Sequence, residues 1–242
     1  TFWIGGSPDG SLEQAETLLD ATERITVATG IVNMWQDDAA TVAASYHRLE
    51  GKHPGRFVLG VGVGHREAIS EYRDPYDKIV EYLDRLDDAG VPAGRRILAA
   101  LGPKVLELSA ARCAGAHPYL TTPEHTAYAR KILGPDPVLA PEHKVVLDTD
   151  AERARAVGRK VLRRYLGLVN YRQNLLRFGF SEDDLAGDGS DRLVDALVLH
   201  GDTETVARGL RAHLEAGADH IGIQVLGDNL VPAYQALAEA LQ

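Results

Sequence analysis

The chain has 242 residues, 45% of them hydrophobic and 25% charged, so it is long enough to bury a substantial core. Its formal net charge of -9 leaves no surplus of cations to neutralise phosphates, which excludes a protein built to bind nucleic acid. The single cysteine, Cys113, excludes an intramolecular disulfide and a cysteine-based zinc cluster, and its apolar helical context predicts a small buried residue. No apolar run reaches the roughly 18 residues of a membrane span and no signal peptide is visible, so we expect a cytoplasmic protein.

Short apolar segments alternate with amphipathic segments along the chain. The first strand is predicted at 2–5, Ser11 is predicted to cap a helix that runs to about Thr22, and residues 25–33 (ITVATGIVN) are apolar on both faces, as in a strand covered on both sides. The later predicted elements are helices over 37–51, 75–89, 104–114, 123–133, 203–218 and 231–242, and strands over 56–64, 95–101, 116–122 and 220–226. This alternation predicts an α/β fold with a parallel sheet, and strands buried on both faces favour a barrel.

The region from about 150 to 200 breaks this alternation. It contains a long basic helix over 151–179 and an acidic, glycine-rich link over 181–191, which together predict a helical insertion before the last strand. We count about seven strand–helix units in one domain over residues 1–242. That count fits a (β/α)8 TIM barrel whose first strand–helix unit is absent from the chain.

Ligands of parallel α/β folds lie at the carboxyl ends of the strands, which makes those ends the candidate site. Gly60, Gly62 and Gly64 alternate at one strand end, where glycine indicates either a closely approaching ligand or tight packing against a neighbour. Thr29 and Asn33 end another apolar strand, and either a ligand or neighbouring backbone could supply their hydrogen-bond partners.

The run Gly102-Pro103-Lys104 lies between a predicted strand and a predicted helix. Proline at the first helical position loses no needed donor, and the following amides are then free to face an anion, with Lys104 adding positive charge. A structural Gly-Pro turn explains the same residues, so the motif alone leaves both interpretations open.

Among the nine histidines, only His65, directly after the strand over 56–64, stands at a position suited to catalysis. His-Glu-x-x-His and His-x-His spacings are absent, so no metal site is predicted. A Gly-x-Ser-x-Gly elbow is absent too, and the glycine spacing over 60–64 differs from the dinucleotide-binding fingerprint.

Five stretches, in the same order, resemble the luciferase-like monooxygenase superfamily and, within it, the oxidoreductases that use the deazaflavin coenzyme F420. They are 2–8 (FWIGGSP), 25–35 (ITVATGIVNMW), 56–65 (RFVLGVGVGH), 101–126 (LGPKVLELSAARCAGAHPYLTTPEHT) and 217–226 (GADHIGIQVL). The resemblance implies a luciferase-like (β/α)8 barrel with an insertion after the seventh strand. One departure is Gly6-Ser7-Pro8, because some deazaflavin-dependent dehydrogenases of this superfamily carry a catalytic histidine there.

The resemblance also implies a cofactor site and a homodimer. It implies a cis peptide bond between Gly30 and Ile31, behind the cofactor ring, and a role for His65 as proton donor or as a residue lining the ring. The residues assigned to the cofactor are Gly30, Ile31 and Asn33 behind the ring, Gly64 beside it, Gly102, Pro103 and Lys104 at the phosphate, and Tyr119, Thr121 and Thr122 at the cofactor tail.

Three functions are compatible with these residues. The first is an oxidoreductase that transfers a hydride between bound F420 and a small organic substrate. The second is a monooxygenase that uses reduced FMN, and the third is a flavin-binding relative without catalytic activity.

Overall fold

The computed structural model describes residues 1–64 and 74–241. It divides into two compact units, the first made of Thr1–His117 with Leu133–Pro137 and the second of Pro118–Ile132 with Val138–Gln242. His65, the predicted catalytic residue, lies outside the described residues. The expectation of a single domain stays a prediction.

The first unit is a parallel sheet covered by helices. Its strands are β1 (Phe2–Ile4), β2 (Val27–Thr29), β3 (Val32–Asn33), β4 (Phe57–Gly62), β5 (Arg96–Leu98) and β6 (Gly115–Ala116). Its helices are α1 (Glu13–Asp20), α2 (Ala39–Lys52), α3 (Pro75–Asp88) and α4 (Pro103–Arg112). The strand order is β1-β2-β4-β5-β6, β3 also pairs with β4, and each of these pairs is parallel.

The sheet of the first unit is strongly curled. The ring of Trp3 on β1 stacks on the ring of His117, which follows β6, with centroids 4.1 Å apart and an angle of 4° between the planes. Since β2, β4 and β5 lie between those two strands, the rings can meet only if the sheet bends back on itself. Val27, Ala28 and Thr29 of β2 are all buried, as expected for a strand covered on both faces.

Local sequence signals explain where the helices of this unit begin. The Asp38 carboxylate accepts hydrogen bonds from the amides of Ala40 and Thr41, both at 3.0 Å, and starts α2. Helix α1 begins at Glu13, one residue later than a Ser11 cap predicts, because Leu12 takes the N-cap position in a left-handed conformation with φ of 57°. Cys113, predicted to be buried in a helix, instead follows α4 and is only partly buried. It packs against the core of the first unit, and the burial of its thiol raises the pKa to about 11.

The second unit contains a three-stranded parallel sheet and six helices among the described residues. Its strands are β7 (Val138–Leu139), β8 (Glu142–Val146), β9 (Val198–His200) and β10 (Gly222–Val225), of which the last three pair in the order β10-β8-β9. Its helices are α5 (Pro123–Leu133), α6 (Ala151–Leu166), α7 (Val169–Arg177), α8 (Asp191–Leu197), α9 (Thr203–Glu215) and α10 (Leu230–Ala240). The apolar core beneath α9 and α10 includes Val145, Val206 and Leu237.

The predicted insertion is helical, but the single long helix expected over 151–179 is wrong. Helices α6 and α7 replace it, because the chain leaves the helix at Gly167 and Leu168 has an extended backbone. The basic face of α6 pairs with the acidic link that follows α7 and with the next helix, α8. The Arg163 guanidinium donates to the Asp188 carboxylate of the link at 2.7 Å, and that of Arg155 donates to the Asp195 carboxylate of α8 at 2.7 Å.

Strand β8 carries a buried histidine, His143, that contacts a second buried histidine, His213 on α9. His213 Nε2 lies 3.0 Å from His143 Nδ1, and its Nδ1 lies 2.8 Å from the Thr126 hydroxyl. Burial lowers the pKa of His213 to about 4, although the Glu124 carboxylate partly opposes this, and burial holds the pKa of His143 well below its usual value. Both rings are therefore neutral in the folded protein at neutral pH.

We expect this pair to make the protein less stable as the pH falls from 6.5 to 4. In that window the unfolded chain binds protons that the folded His213 does not, so the free energy of unfolding falls, by about 3 kcal/mol for His213 alone. His213→Gln keeps polar atoms at the site but cannot titrate, and urea denaturation between pH 7 and 4 should give a shallower dependence on pH. The same substitution at exposed His47 is the control; equal slopes for wild type and His213→Gln would contradict the assignment.

Candidate functional site

The predicted ring-binding residues surround the break between β2 and β3 in the first unit. The peptide bond between Gly30 and Ile31 is cis, as the resemblance implied. The Asn33 side-chain oxygen accepts from the amide of Trp35 at 3.0 Å. The Thr29 hydroxyl donates to the carbonyl of Gly60 at 2.8 Å and accepts from the amide of the same residue at 2.9 Å. Neighbouring backbone, one of the two alternatives, therefore satisfies Thr29.

Different contacts explain why Gly60, Gly62 and Gly64 are glycines. A Cβ on Gly60 would lie 1.8 Å from the carbonyl oxygen of Thr29, and one on Gly62 would lie 2.8 Å from the Cβ of Ala99. Tight packing between strands therefore explains these two. Gly64 has a positive φ of 58°, a conformation that favours glycine. A Cβ on Gly64 would lie 2.8 Å from the side-chain amide nitrogen of Asn33, so the end of this strand packs against a predicted cofactor residue.

His117 packs against the predicted ring site, a position that its sequence context did not predict. A Cβ on Gly30 would lie 3.1 Å from His117 Nε2 and 3.7 Å from the carbonyl oxygen of Ile4. Nothing around His117 in the sequence indicates this contact, because it depends on the curl of the sheet that also stacks Trp3 on the imidazole.

The segment Gly102-Pro103-Lys104 forms the start of α4, directly after β5. Gly102 is the N-cap, Pro103 is the first helical residue, and among the described residues no side chain caps this end. No described atom lies within 4 Å of a Cβ built on Gly102, whose φ of −87° does not demand glycine. Lys104 is exposed. The first turn of α4 thus lacks a capping side chain among the described residues and carries an exposed cation, which is the arrangement that binds anions.

The remaining three predicted cofactor residues belong to the second unit. The Tyr119 hydroxyl lies 3.0 Å from that of Tyr165, and burial raises the pKa of Tyr119. The Thr121 hydroxyl is buried and finds no hydrogen-bond partner among the described residues. The Thr122 hydroxyl is likewise buried and finds no partner of hydrogen-bond geometry among the described residues, although it lies near enough to the Glu124 carboxylate to lower the pKa of that group. Two orphaned hydroxyls, those of Thr121 and Thr122, are therefore available to a ligand.

Within residues 1–64 and 74–241, no group of three or more histidine, cysteine, aspartate and glutamate side chains is arranged to hold a metal ion. None of the helices in the same residues combines the length and apolarity needed to cross a membrane.

A family model described as luciferase-like monooxygenase matches residues 11–90 of this chain. No curated protein matches it. Among solved structures, an F420-dependent secondary alcohol dehydrogenase in complex with an F420–acetone adduct is similar, with a TM-score of 0.74 and 15% identity, over 95% of this chain and 83% of that one.

Two further solved structures are similar over nearly the whole chain. The coenzyme F420-dependent tetrahydromethanopterin reductase from Methanopyrus kandleri has a TM-score of 0.64 and 14% identity, over 96% of this chain and 86% of that one. The oxygenating constituent of 3,6-diketocamphane monooxygenase from the CAM plasmid of Pseudomonas putida, in complex with FMN, has a TM-score of 0.66 and 16% identity, over 98% of this chain and 85% of that one.

The chain has the luciferase-like fold. The predicted fold class and the resemblance to the luciferase-like superfamily are thereby confirmed. Because the structural likeness lies at identities of 14–16%, it establishes the luciferase-like fold and leaves the cofactor open between F420 and FMN. The roles of His65 and of the ten predicted cofactor residues stay predictions.

Proposed function

We propose that the protein is an oxidoreductase that transfers a hydride between bound coenzyme F420 and a small organic substrate. The observation that carries the proposal is the uncapped start of α4, where Gly102 leaves open space, Lys104 adds charge and the described residues provide no capping side chain. This arrangement fits the phosphate of a deazaflavin or a flavin. The luciferase-like fold and its likeness to two F420-dependent enzymes support F420.

The protein's own residues would bind and orient the cofactor. The Lys104 ammonium and the first amides of α4 would hold the phosphate, and Gly30, Ile31 and Asn33 would lie behind the ring. The Thr121 hydroxyl, buried without a partner among the described residues, would donate to the cofactor tail. The bound deazaflavin supplies the hydride chemistry, which leaves binding, orientation and exclusion of water to the protein.

A second candidate is a monooxygenase that uses reduced FMN, supported by likeness to the FMN complex of the diketocamphane monooxygenase subunit. A flavin-binding relative without activity is the third. A small-molecule substrate, a homodimer and a cytoplasmic location belong to the same proposal.

Separate fluorescence titrations with F420 and with FMN test the proposal. We expect micromolar binding of F420 and much weaker binding of FMN, followed by a spectral change of F420 when a substrate is oxidised or reduced. Tight FMN binding with weak F420 binding would move the protein to the monooxygenase alternative. Tight F420 binding without turnover of any alcohol, ketone or aldehyde would favour the third alternative.

Lys104→Glu should weaken F420 binding by about 10- to 150-fold, corresponding to the roughly 1.5–3 kcal/mol of a charge-assisted contact. The change replaces an exposed cation by an anion at the start of α4, so the fold should survive, as circular dichroism can check. Lys160→Glu, at an exposed position of α6, is the matched control and should keep wild-type affinity. Equal affinities for both variants would remove the phosphate assignment.

A further inference from the structure

Strand β8 buries an ion pair in the second unit. The Lys144 ammonium donates to both carboxylate oxygens of Glu142, at 3.0 and 2.9 Å. The Lys144 side chain is 0% exposed and that of Glu142 is 8% exposed. Both residues lie on the same face of β8, because they are two positions apart.

The pair contacts the segment Pro118–Thr122, which carries three of the predicted cofactor residues. The Lys144 ammonium lies 3.7 Å from the centre of the Tyr119 ring, within the range of a cation–π contact. The Glu142 carboxylate accepts a hydrogen bond from the amide of Leu120, and the Glu142 amide donates to the carbonyl of Pro118 at 2.8 Å. Three consecutive residues of the segment are thus attached to this pair.

The Leu120 contact meets a specific need of the backbone. Leu120 has a positive φ of 59°, which a residue with a branched side chain rarely adopts. Leu120 is also buried, so without an acceptor its amide would be left unpaired in an apolar environment. The Glu142 oxygen provides that acceptor and thereby stabilises the conformation that sets the directions of the Tyr119 and Thr121 side chains.

Stability alone is a weak explanation for this ion pair. Desolvation of two charges cancels most of their attraction, and well-packed apolar residues often replace a buried pair without loss of stability. A buried ion pair on β8 instead indicates a requirement for a defined conformation at its contacts.

We propose that Glu142 and Lys144 are positioning residues that hold the segment Pro118–Thr122 in its cofactor-binding conformation, Glu142 through the Leu120 amide and Lys144 through the Tyr119 ring. The link to the cofactor rests on the function proposed above. Neither residue needs to touch the cofactor for cofactor affinity to depend on it.

Two double variants separate positioning from general stability. Glu142→Gln with Lys144→Met removes both charges and keeps an oxygen that can accept from Leu120, whereas Glu142→Leu with Lys144→Met removes the acceptor as well. The two differ at one side chain of similar size and carry the same charge. The exposed pair of Arg163 and Asp188 on α6 and the acidic link, changed to Gln and Asn, is the control for loss of an ion pair.

Hydrogen exchange of the Leu120 amide is the first measurement and needs no cofactor. The segment suits it, because prolines at 118 and 123 leave only four amides between them. We expect exchange at Leu120 to be about tenfold or more faster in the Leu–Met variant than in wild type, and near wild type in the Gln–Met variant and in the control. Equal exchange in the two double variants would overturn the role of Glu142. If either double variant fails to fold, the wild-type protein alone still tests the role of Glu142, because fast, unprotected exchange of its Leu120 amide would overturn that role.

The second measurement is the affinity for F420 of the same proteins. We expect the dissociation constant of the Leu–Met variant to rise about tenfold, with the Gln–Met variant within about threefold of wild type. Faster exchange at Leu120 with unchanged F420 affinity would overturn the positioning role. Absence of F420 binding by wild type would reject the proposed function, while the exchange comparison would still decide whether Glu142 holds the segment.

Discussion

Replacing Gly60 by alanine is expected to prevent folding or to lower the free energy of unfolding by more than about 4 kcal/mol, a size reserved for severe packing defects. The added Cβ would lie 1.8 Å from the carbonyl oxygen of Thr29, a backbone atom that cannot rotate away. Strands β2 and β4 are held in register at this point by their parallel pairing and by the Thr29 hydroxyl, which bonds both backbone groups of Gly60. Removing this clash would therefore require β2 and β4 to move apart.

Urea denaturation followed by circular dichroism measures this effect. Gly102→Ala is the matched control, since no described atom lies within 4 Å of the added Cβ and the φ of −87° suits alanine. Its stability should stay within about 1 kcal/mol of wild type, because the lower freedom of the unfolded chain and the poorer fit of alanine at the N-cap of α4 oppose each other. A Gly60→Ala protein as stable as Gly102→Ala would show that β2 and β4 do not approach as closely as described.

Lys144→Met is expected to cost about 3–5 kcal/mol at neutral pH, because it leaves the Glu142 carboxylate buried without its counter-ion. Burial already raises the pKa of Glu142 above its ordinary value of 4.5, and Lys144 opposes that rise. Without Lys144 the pKa rises further, so the folded variant keeps a proton on Glu142 that the unfolded chain releases above pH 4.5.

The pH dependence of this variant is compared with that of Glu142→Gln with Lys144→Met, which keeps His213 but lacks the titrating carboxyl. A raised folded pKa gives stability that is present below the unfolded value and is lost as the pH rises, so Lys144→Met should lose stability relative to this double variant from pH 5 to 7, by up to about 1.4 kcal/mol per unit. A stability difference between the two variants that stays constant over this range would mean that Glu142 is not confined as described.

Much of the order of elements could be predicted from periodicity, because amphipathic segments mark most of the helices and short apolar runs mark most of the strands. Strands β8 and β9 were not predicted. Helix α5 coincides with the prediction over 123–133. A strand was predicted over 116–122, but the observed strand is only Gly115–Ala116, because Pro118 and the positive φ of Leu120 interrupt regular pairing. The prediction of one long basic helix was wrong because the helix ends at Gly167, although the apolar periodicity of the sequence continues past that residue.

The site was less predictable than the fold because its contacts join residues far apart in the sequence. The approach of Gly60 to Thr29 depends on strand register, and the contact of Gly30 with His117 depends on the curl of the sheet. The segment "EHKVV" was assigned to no predicted strand, whereas the structure places it at β8 with the Glu142 and Lys144 side chains buried as a pair. Residues 65–73, including His65, lie outside this comparison.

The partial burial of Cys113 has a practical consequence for following cofactor binding. Thiol reagents attack the thiolate, and a pKa raised to about 11 leaves the Cys113 thiol largely protonated at pH 8. Since the chain has no other cysteine, we expect slow maleimide labelling of the wild-type protein. A cysteine introduced at exposed Lys160 would then carry a fluorophore or spin label at one known position. Distances from that label to the bound cofactor could be measured without first removing the native thiol.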